Sequence, residues 1–265
     1  MKRISFAICT LAIPLCIVTA MAIAGISRRS APSPEILTGL EYLDAAEKSD
    51  PAVAEEFRRT RTKEYRESEK RRLEKEKLID DIHHDRVDVF TLFKDYAILG
   101  DSRAYGFGYF KFLSFSRVLA GGGDTIRTVK DRMNRLKNLD PSYIYLCYGL
   151  NDAGIGFWKT PEAYADEVLE VIKELHEALP NAKIYYNSII WISDGAATYA
   201  PWAQIYDYSS ACRKMCEENG IPYIDNDEIC KVLKKNKWWS SDGVHVVEPF
   251  YKLWGKNLYL ATLED

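Results

Sequence analysis

The sequence predicts an α/β domain in which a parallel sheet lies between two layers of helices, and three observations carry that expectation. Short, wholly apolar runs recur through the second two-thirds of the chain, helical patterns separate them, and turn-forming loops close each run. Alternation of strand and helix favours parallel pairing, because parallel strands need a crossover long enough to hold a helix. The composition is that of a globular protein: 265 residues, 47% hydrophobic and 28% charged. With 36 basic against 39 acidic residues the net charge is -3, so no bulk electrostatic attraction to nucleic acid is expected. The six cysteines form no CxxC pair and stand beside no histidine at metal-ligand spacing, so no structural zinc is expected.

In chain order, the first element follows Lys2 and Arg3. Residues 6–26 carry no charge, and Thr10 and Thr19 are their only polar side chains. As a helix this run is about 32 Å long, the thickness of a bilayer's hydrocarbon core. It is expected to anchor the chain in a membrane, with the remainder on the extracytoplasmic side. The competing reading is a signal peptide cleaved at a small-residue site such as Ala20-Met21-Ala22, which would release a secreted protein. Cys9 and Cys16 inside the run read as apolar filler.

A helix start is expected at Ser33-Pro34-Glu35, with serine as cap and proline in the first turn, followed by Ile36, Leu37, Leu40 and Leu43 on one face. Residues 55–81 are mostly Arg, Lys, Glu and Asp, and Phe57, Tyr65, Leu73 and Leu78 keep no heptad. They read as a solvated helix of about 40 Å, either a spacer or a plain connection. The organisation expected is thus a signal-anchor or signal peptide over 1–30, a charged helical stalk over 31–86 and one domain over 87–265.

Within that domain, residues 96–99, 143–148, 184–190 and 223–224 read as buried strands. Residues 125–137, 161–179 and 202–219 read as helices, and Pro249 opens a last helix carrying Phe250, Leu253, Trp254 and Leu258 on one side. Cys147, Cys212 and Cys216 are expected as free thiols, since the last two lie one helical turn apart; Cys230 has no assignment.

In such a sheet, reactive groups gather beyond the carboxyl ends of the strands. Gly100-Asp101-Ser102 follows the first strand directly, and Ser102 there could present a hydroxyl to a crevice or simply cap the next helix. Gly121-Gly122-Gly123-Asp124-Thr125 offers backbone N–H groups without side-chain obstruction, or a flexible turn. Tyr148-Gly149-Leu150-Asn151-Asp152 follows the most apolar strand, and Asn151 could donate to an oxygen that becomes negative, or Asn151 or Asp152 could merely close an Asx-turn. In Ser240-Ser241-Asp242-Gly243-Val244-His245, an aspartate three residues before a histidine can hold its Nδ1 proton and leave Nε2 free as a base. Of the four histidines, His83 and His84 end the charged stretch and His176 lies in a charged part of a helix.

In this order, at these strand ends, the four segments resemble the SGNH/GDSL hydrolase family over about residues 97–258. The resemblance implies a flavodoxin-like three-layer α/β/α fold and a serine esterase that needs no cofactor. It assigns the nucleophile to Ser102, the acid and base to Asp242 and His245, and the oxyanion hole to Ser102, Gly123 and Asn151. One departure stands out: leucine commonly follows the serine in the family, and here it is Arg103, expected as a surface residue of the first helical turn or as a contact for an anionic substrate. Trp191, Tyr199, Trp202, Trp238 and Trp239 lie in or beside the loops of the crevice, where they serve as lid packing or as faces for sugar rings. Export and the esterases this family resembles together point to an acetyl ester on a cell-envelope or extracellular carbohydrate. A lipase-like or thioesterase activity, or transfer of the acyl group to a glycan, is the alternative; no sequence feature sets an oligomeric state.

Overall fold

The structure is a computed structural model that describes residues 39–41, 44, 48 and 51–264. The apolar run 6–26 and the helix start at Ser33 lie outside the described residues. Among the described residues no helix is long and apolar enough to cross a membrane. By its internal contacts the chain divides into two compact units between Arg72 and Leu73. The charged stretch is one helix, α1, Pro51–His83. Its surface carries ion pairs one turn apart, among them Arg72 with Glu69 at 2.9 Å and Lys77 with Asp81, each a weak, solvent-screened contribution.

The second unit holds five strands: β1 Tyr96–Gly100, β2 Val118–Ala120, β3 Tyr143–Cys147, β4 Lys183–Asn187 and β5 Tyr223–Ile224. All pair in parallel, in the order β2-β1-β3-β4-β5. Seven helices accompany them: α2 Ser102–Tyr109, α3 Val129–Leu139, α4 Leu150–Ile155, α5 Pro161–Ala178, α6 Ile205–Asn219, α7 Asp227–Asn236 and α8 Glu248–Glu264. Both faces of the sheet are covered, which is why the strands read as continuous apolar runs. Leu99, Ile144, Leu146, Ile184 and Tyr186 pack against residues of α3, α5 and α6 on one face. Ile98, Tyr145, Cys147 and Tyr185 pack against α2, α7 and α8 on the other.

Because β2 lies on one side of β1 and β3 to β5 lie on the other, the winding reverses at β1. That reversal opens a crevice at the carboxyl ends of β1 and β3, the place where open α/β sheets bind ligands.

Several boundaries differ from the sequence expectation. The three-residue strand β2 is too short to show a period. β4 stops at Asn187 instead of reaching Ile190 because its neighbour β5 is only two residues long, so the ladder runs out of partners. There Asn226 takes over, donating its backbone N–H to Ser188 Oγ at 2.9 Å and its Nδ2 to the Ser188 carbonyl at 2.9 Å. α6 begins at Ile205, after short 3-10 turns at Ala196–Thr198 and Ala200–Trp202. α5 begins where expected: Pro161 occupies its first turn and Thr160 Oγ1 accepts the Ala163 N–H at 3.2 Å. Cys147, Cys212, Cys216 and Cys230 are all buried and free.

Candidate active site

β1 runs into α2 without a spacer, and the join is tight. A Cβ on Gly100 would stand 2.5 Å from both the Ala104 Cβ and the Cys147 carbonyl oxygen. Asp101 then caps α2, its Oδ1 accepting the Arg103 N–H at 2.9 Å. The cap is therefore Asp101, which leaves the Ser102 hydroxyl uncommitted to capping at the first helical position. The Ser102 N–H, in the first turn, has no carbonyl within the helix to bond.

The Ser102 Oγ lies 2.8 Å from Nε2 of His245, and His245 Nδ1 lies 2.7 Å from Oδ2 of Asp242. The other carboxylate oxygen, Oδ1, accepts the N–H groups of Val244 at 2.9 Å and His245 at 3.0 Å. Partial burial pushes the Asp242 carboxyl up, but the backbone N–H groups of His245 and Val244 and the imidazole outweigh it and hold the group below the ordinary aspartate value. The His245 and Asp242 side chains are 42% and 46% exposed, so the site is open to solvent.

Backbone contacts hold the loop that carries this pair. Gly243, at φ 73°, donates to the Ser240 carbonyl at 3.0 Å and accepts the Ser193 N–H at 2.8 Å. Ser240 donates to the His245 carbonyl at 2.8 Å, and Trp239 bridges Val246 antiparallel.

The other two loops leave neighbouring strands level with the serine turn, since Gly100 is in register with Ala120 on β2 and with Cys147 on β3. In the first, Gly123 sits at φ 79° with open space where a side chain would be, a position glycine takes readily. In the second, Asn151 donates Nδ2 to the Asp124 carbonyl at 2.9 Å, leaving the second amide hydrogen for another acceptor. Asp152, fully buried, accepts the N–H groups of Gly149 at 2.9 Å and Ile126 at 2.8 Å, and so closes its own turn while tying it to the neighbouring loop. Burial pushes the Asp152 carboxyl up to about 7, the charge of Asp101 adding to the effect and the two N–H bonds opposing it.

The sequence placed Ser102, Gly123, Asn151, Asp242 and His245 at this crevice. The structure joins Ser102, His245 and Asp242 by direct hydrogen bonds and sets Gly123 and Asn151 on the loops beside them. One expectation is overturned: Arg103 is neither a surface residue nor exposed to an anion. Its side chain is 3% exposed and pairs with Asp101, 1% exposed, and its Nη1 donates to the Ile190 carbonyl at 2.7 Å. Arg103 turns inward toward the Ile190 carbonyl, beyond the end of β4, and its guanidinium can be buried there because that carbonyl and Asp101 accept from it.

The capping role of Asp101 and the tie from Asp152 to Ile126 were not read from the sequence, although an aspartate directly before a helix is a capping signal, whereas the turn that Asp152 closes was one of the readings the sequence offered. Among the aromatics, the Trp202 indole N–H donates to the Leu150 carbonyl at 2.9 Å, Trp239 to the Trp191 carbonyl at 3.1 Å and Trp191 to Asp227 at 3.1 Å. Those three rings brace loops, whereas Tyr199 is 58% exposed.

The family described as GDSL-like lipase/acylhydrolase matches the chain over residues 98–253. Among solved structures, the lipase/acylhydrolase from Enterococcus faecalis shares 15% identity at a TM-score of 0.51, covering 64% of this chain and 96% of its own. A GDSL-like lipase from Bacteroides thetaiotaomicron shares 15% identity at 0.51, covering 64% and 87%. At such identities the likeness shows a common fold. No curated protein matches the chain.

Proposed function

Since the chain belongs to the GDSL-like lipase/acylhydrolase family, whose members hydrolyse esters, we propose that it is a serine esterase working through Ser102, His245 and Asp242, with an acetyl ester on a carbohydrate as substrate. The observation that carries this reading is the unbroken hydrogen-bonded relay from the Ser102 hydroxyl through His245 to Asp242.

In that mechanism neutral His245 takes the Ser102 proton through Nε2 as Oγ attacks the carbonyl carbon, then gives it to the leaving alcohol. Asp242 keeps the imidazole in the tautomer that leaves Nε2 free, and stabilises the imidazolium. The N–H groups of Ser102 and Gly123 and the free amide hydrogen of Asn151 receive the oxyanion, each such donor being worth about 3 kcal/mol of barrier. Water, activated by the same histidine, then releases the acid from the acyl-enzyme. No step calls for a metal or an organic cofactor.

An open site accommodates a bulky leaving group, and the exposed ring of Tyr199 offers a face to a sugar. Residues 6–26 would anchor the enzyme with this domain on the extracytoplasmic side, or be cleaved to secrete it, in either case where envelope glycans are accessible. Incubation with acetylated glycans tests the reading: acetate is released by the wild type and not by Ser102→Ala. A preference for octanoyl and longer nitrophenyl esters over acetyl would instead assign a lipase-like activity, and acylation of an added glycan acceptor would assign a transferase.

A further inference from the structure

We infer that Arg103 is a positioning residue that sets the separation between Ser102 Oγ and His245 Nε2, an inference that rests on the serine esterase reading above. Burying a guanidinium is costly unless its N–H groups are satisfied. Here they are satisfied by groups that hold the reacting residues. Its contacts to Asp101 are long, with Nε 3.4 Å from Oδ1 and Nη2 3.3 Å from Oδ2. The short one is Nη1 to the Ile190 carbonyl, at 2.7 Å and 87 positions away.

Ile190 leads into the segment that supports the histidine loop. The Trp191 carbonyl accepts the Trp239 indole N–H at 3.1 Å, and Trp239 is bridged to Val246, the neighbour of His245. The Ser193 N–H donates to Gly243, inside the Asp242-to-His245 turn, at 2.8 Å. From the other side, the Tyr251 hydroxyl on α8 donates to the Arg103 carbonyl at 2.8 Å, and α8 follows the histidine loop directly. Both ends of Arg103 are thus bonded to elements that flank His245, while Asp101 Oδ2 also accepts the Leu150 N–H at 3.3 Å, next to Asn151.

An arginine is suited to this because its planar fork can serve a carboxylate and a carbonyl together. A lysine ammonium in the same space reaches one of them. Leucine reaches neither and leaves Asp101 to its backbone donors. Proton transfer from a serine to a histidine requires a separation of about 2.6–3.2 Å, so loosening this tie lowers kcat with little effect on substrate affinity.

The test compares full-length wild type with Arg103→Leu, Arg103→Lys, Tyr251→Phe, Leu175→Ala and Ser102→Ala. Each is assayed with nitrophenyl acetate well below its own unfolding temperature, with the rate of inactivation by an organophosphonate as second readout. Leu175→Ala empties a fully buried site in α5 and serves as a control for lost stability alone. Arg103→Leu is expected to lower kcat and the inactivation rate roughly tenfold to a hundredfold with KM within about twofold. Arg103→Lys is expected to regain part of that loss and Tyr251→Phe to fall in the same direction, while Leu175→Ala keeps the wild-type kcat.

Should Arg103→Leu fail to fold, Arg103→Lys and Tyr251→Phe carry the comparison. Wild-type kcat in the Arg103 variants and in Tyr251→Phe, with Ser102→Ala inactive, overturns the inference and leaves the esterase reading standing. A kcat loss in Leu175→Ala equal to that of the Arg103 variants also overturns it. Full activity in Ser102→Ala removes both.

Discussion

The Asp242 carboxylate divides its work between its two oxygens: Oδ1 holds the turn through two backbone N–H groups, and Oδ2 meets the imidazole. Because those N–H groups and the imidazole keep it below the ordinary aspartate value, it stays ionised from about pH 5 upward. Asp242→Asn should therefore lower kcat by up to about ten-thousandfold, when wild type and variant are each measured on the pH-independent plateau of their own profile, because the change also alters the protonation of the imidazole. A plateau kcat for Asp242→Asn within about tenfold of wild type would mean that Asp242 does not hold the imidazole as described.

Asp152 behaves in the opposite sense. Its folded-state pKa of about 7 lies above the unfolded value, so the folded state binds more protons between about pH 4 and pH 7. The stability this confers is complete below the unfolded pKa and is lost as pH rises through 7, by at most about 4 kcal/mol. Asp152→Asn should be less stable overall, since an amide cannot accept both N–H bonds with its two ends, but its urea midpoint should fall less steeply over that range. An unchanged slope would contradict the assignment.

At the scale of elements, the reading from sequence worked where a pattern is local. The strands at 96–99 and 223–224 follow from apolar runs, and α5 from its helical spacing. It failed where a partner decides the outcome. β4 ends early because β5 is short, and Arg103 is buried because a carbonyl 87 residues away accepts from it. Neither partner leaves a mark near the residue it controls. The same holds for Gly149, which the sequence offers only as a turn residue. Its φ is 130°, and a Cβ there would collide with the Ile189 side chain. Gly149→Ala should cost roughly 1–3 kcal/mol through backbone strain alone, seen as a lower melting temperature, together with a lower kcat because Asn151 stands two residues on. A variant as stable and active as the wild type would show that the third loop tolerates another path.

For the molecule as a whole, the reversal of winding at β1 explains why residues far apart in sequence share a crevice. Ser102 and Asn151 leave adjacent strands at one level, and the loop before α8 returns His245 to the serine across 143 positions. Four short motifs in a fixed order made this site legible, because the order reports the topology as well as the chemistry. The scaffold behind it, Asp101 with Arg103, Ile190 and Tyr251, was not legible, because it depends on contacts from the start of α2 to the segment after β4 and to α8.

The proposed esterase depends on Ser102 giving its proton to His245. Treatment with an organophosphonate, followed by intact-mass measurement and peptide mapping, tests it most directly. One adduct on Ser102, formed many times more slowly in His245→Ala, is the predicted result. Modification at another residue, or an undiminished rate at Ser102 in His245→Ala, would rule out that proton transfer.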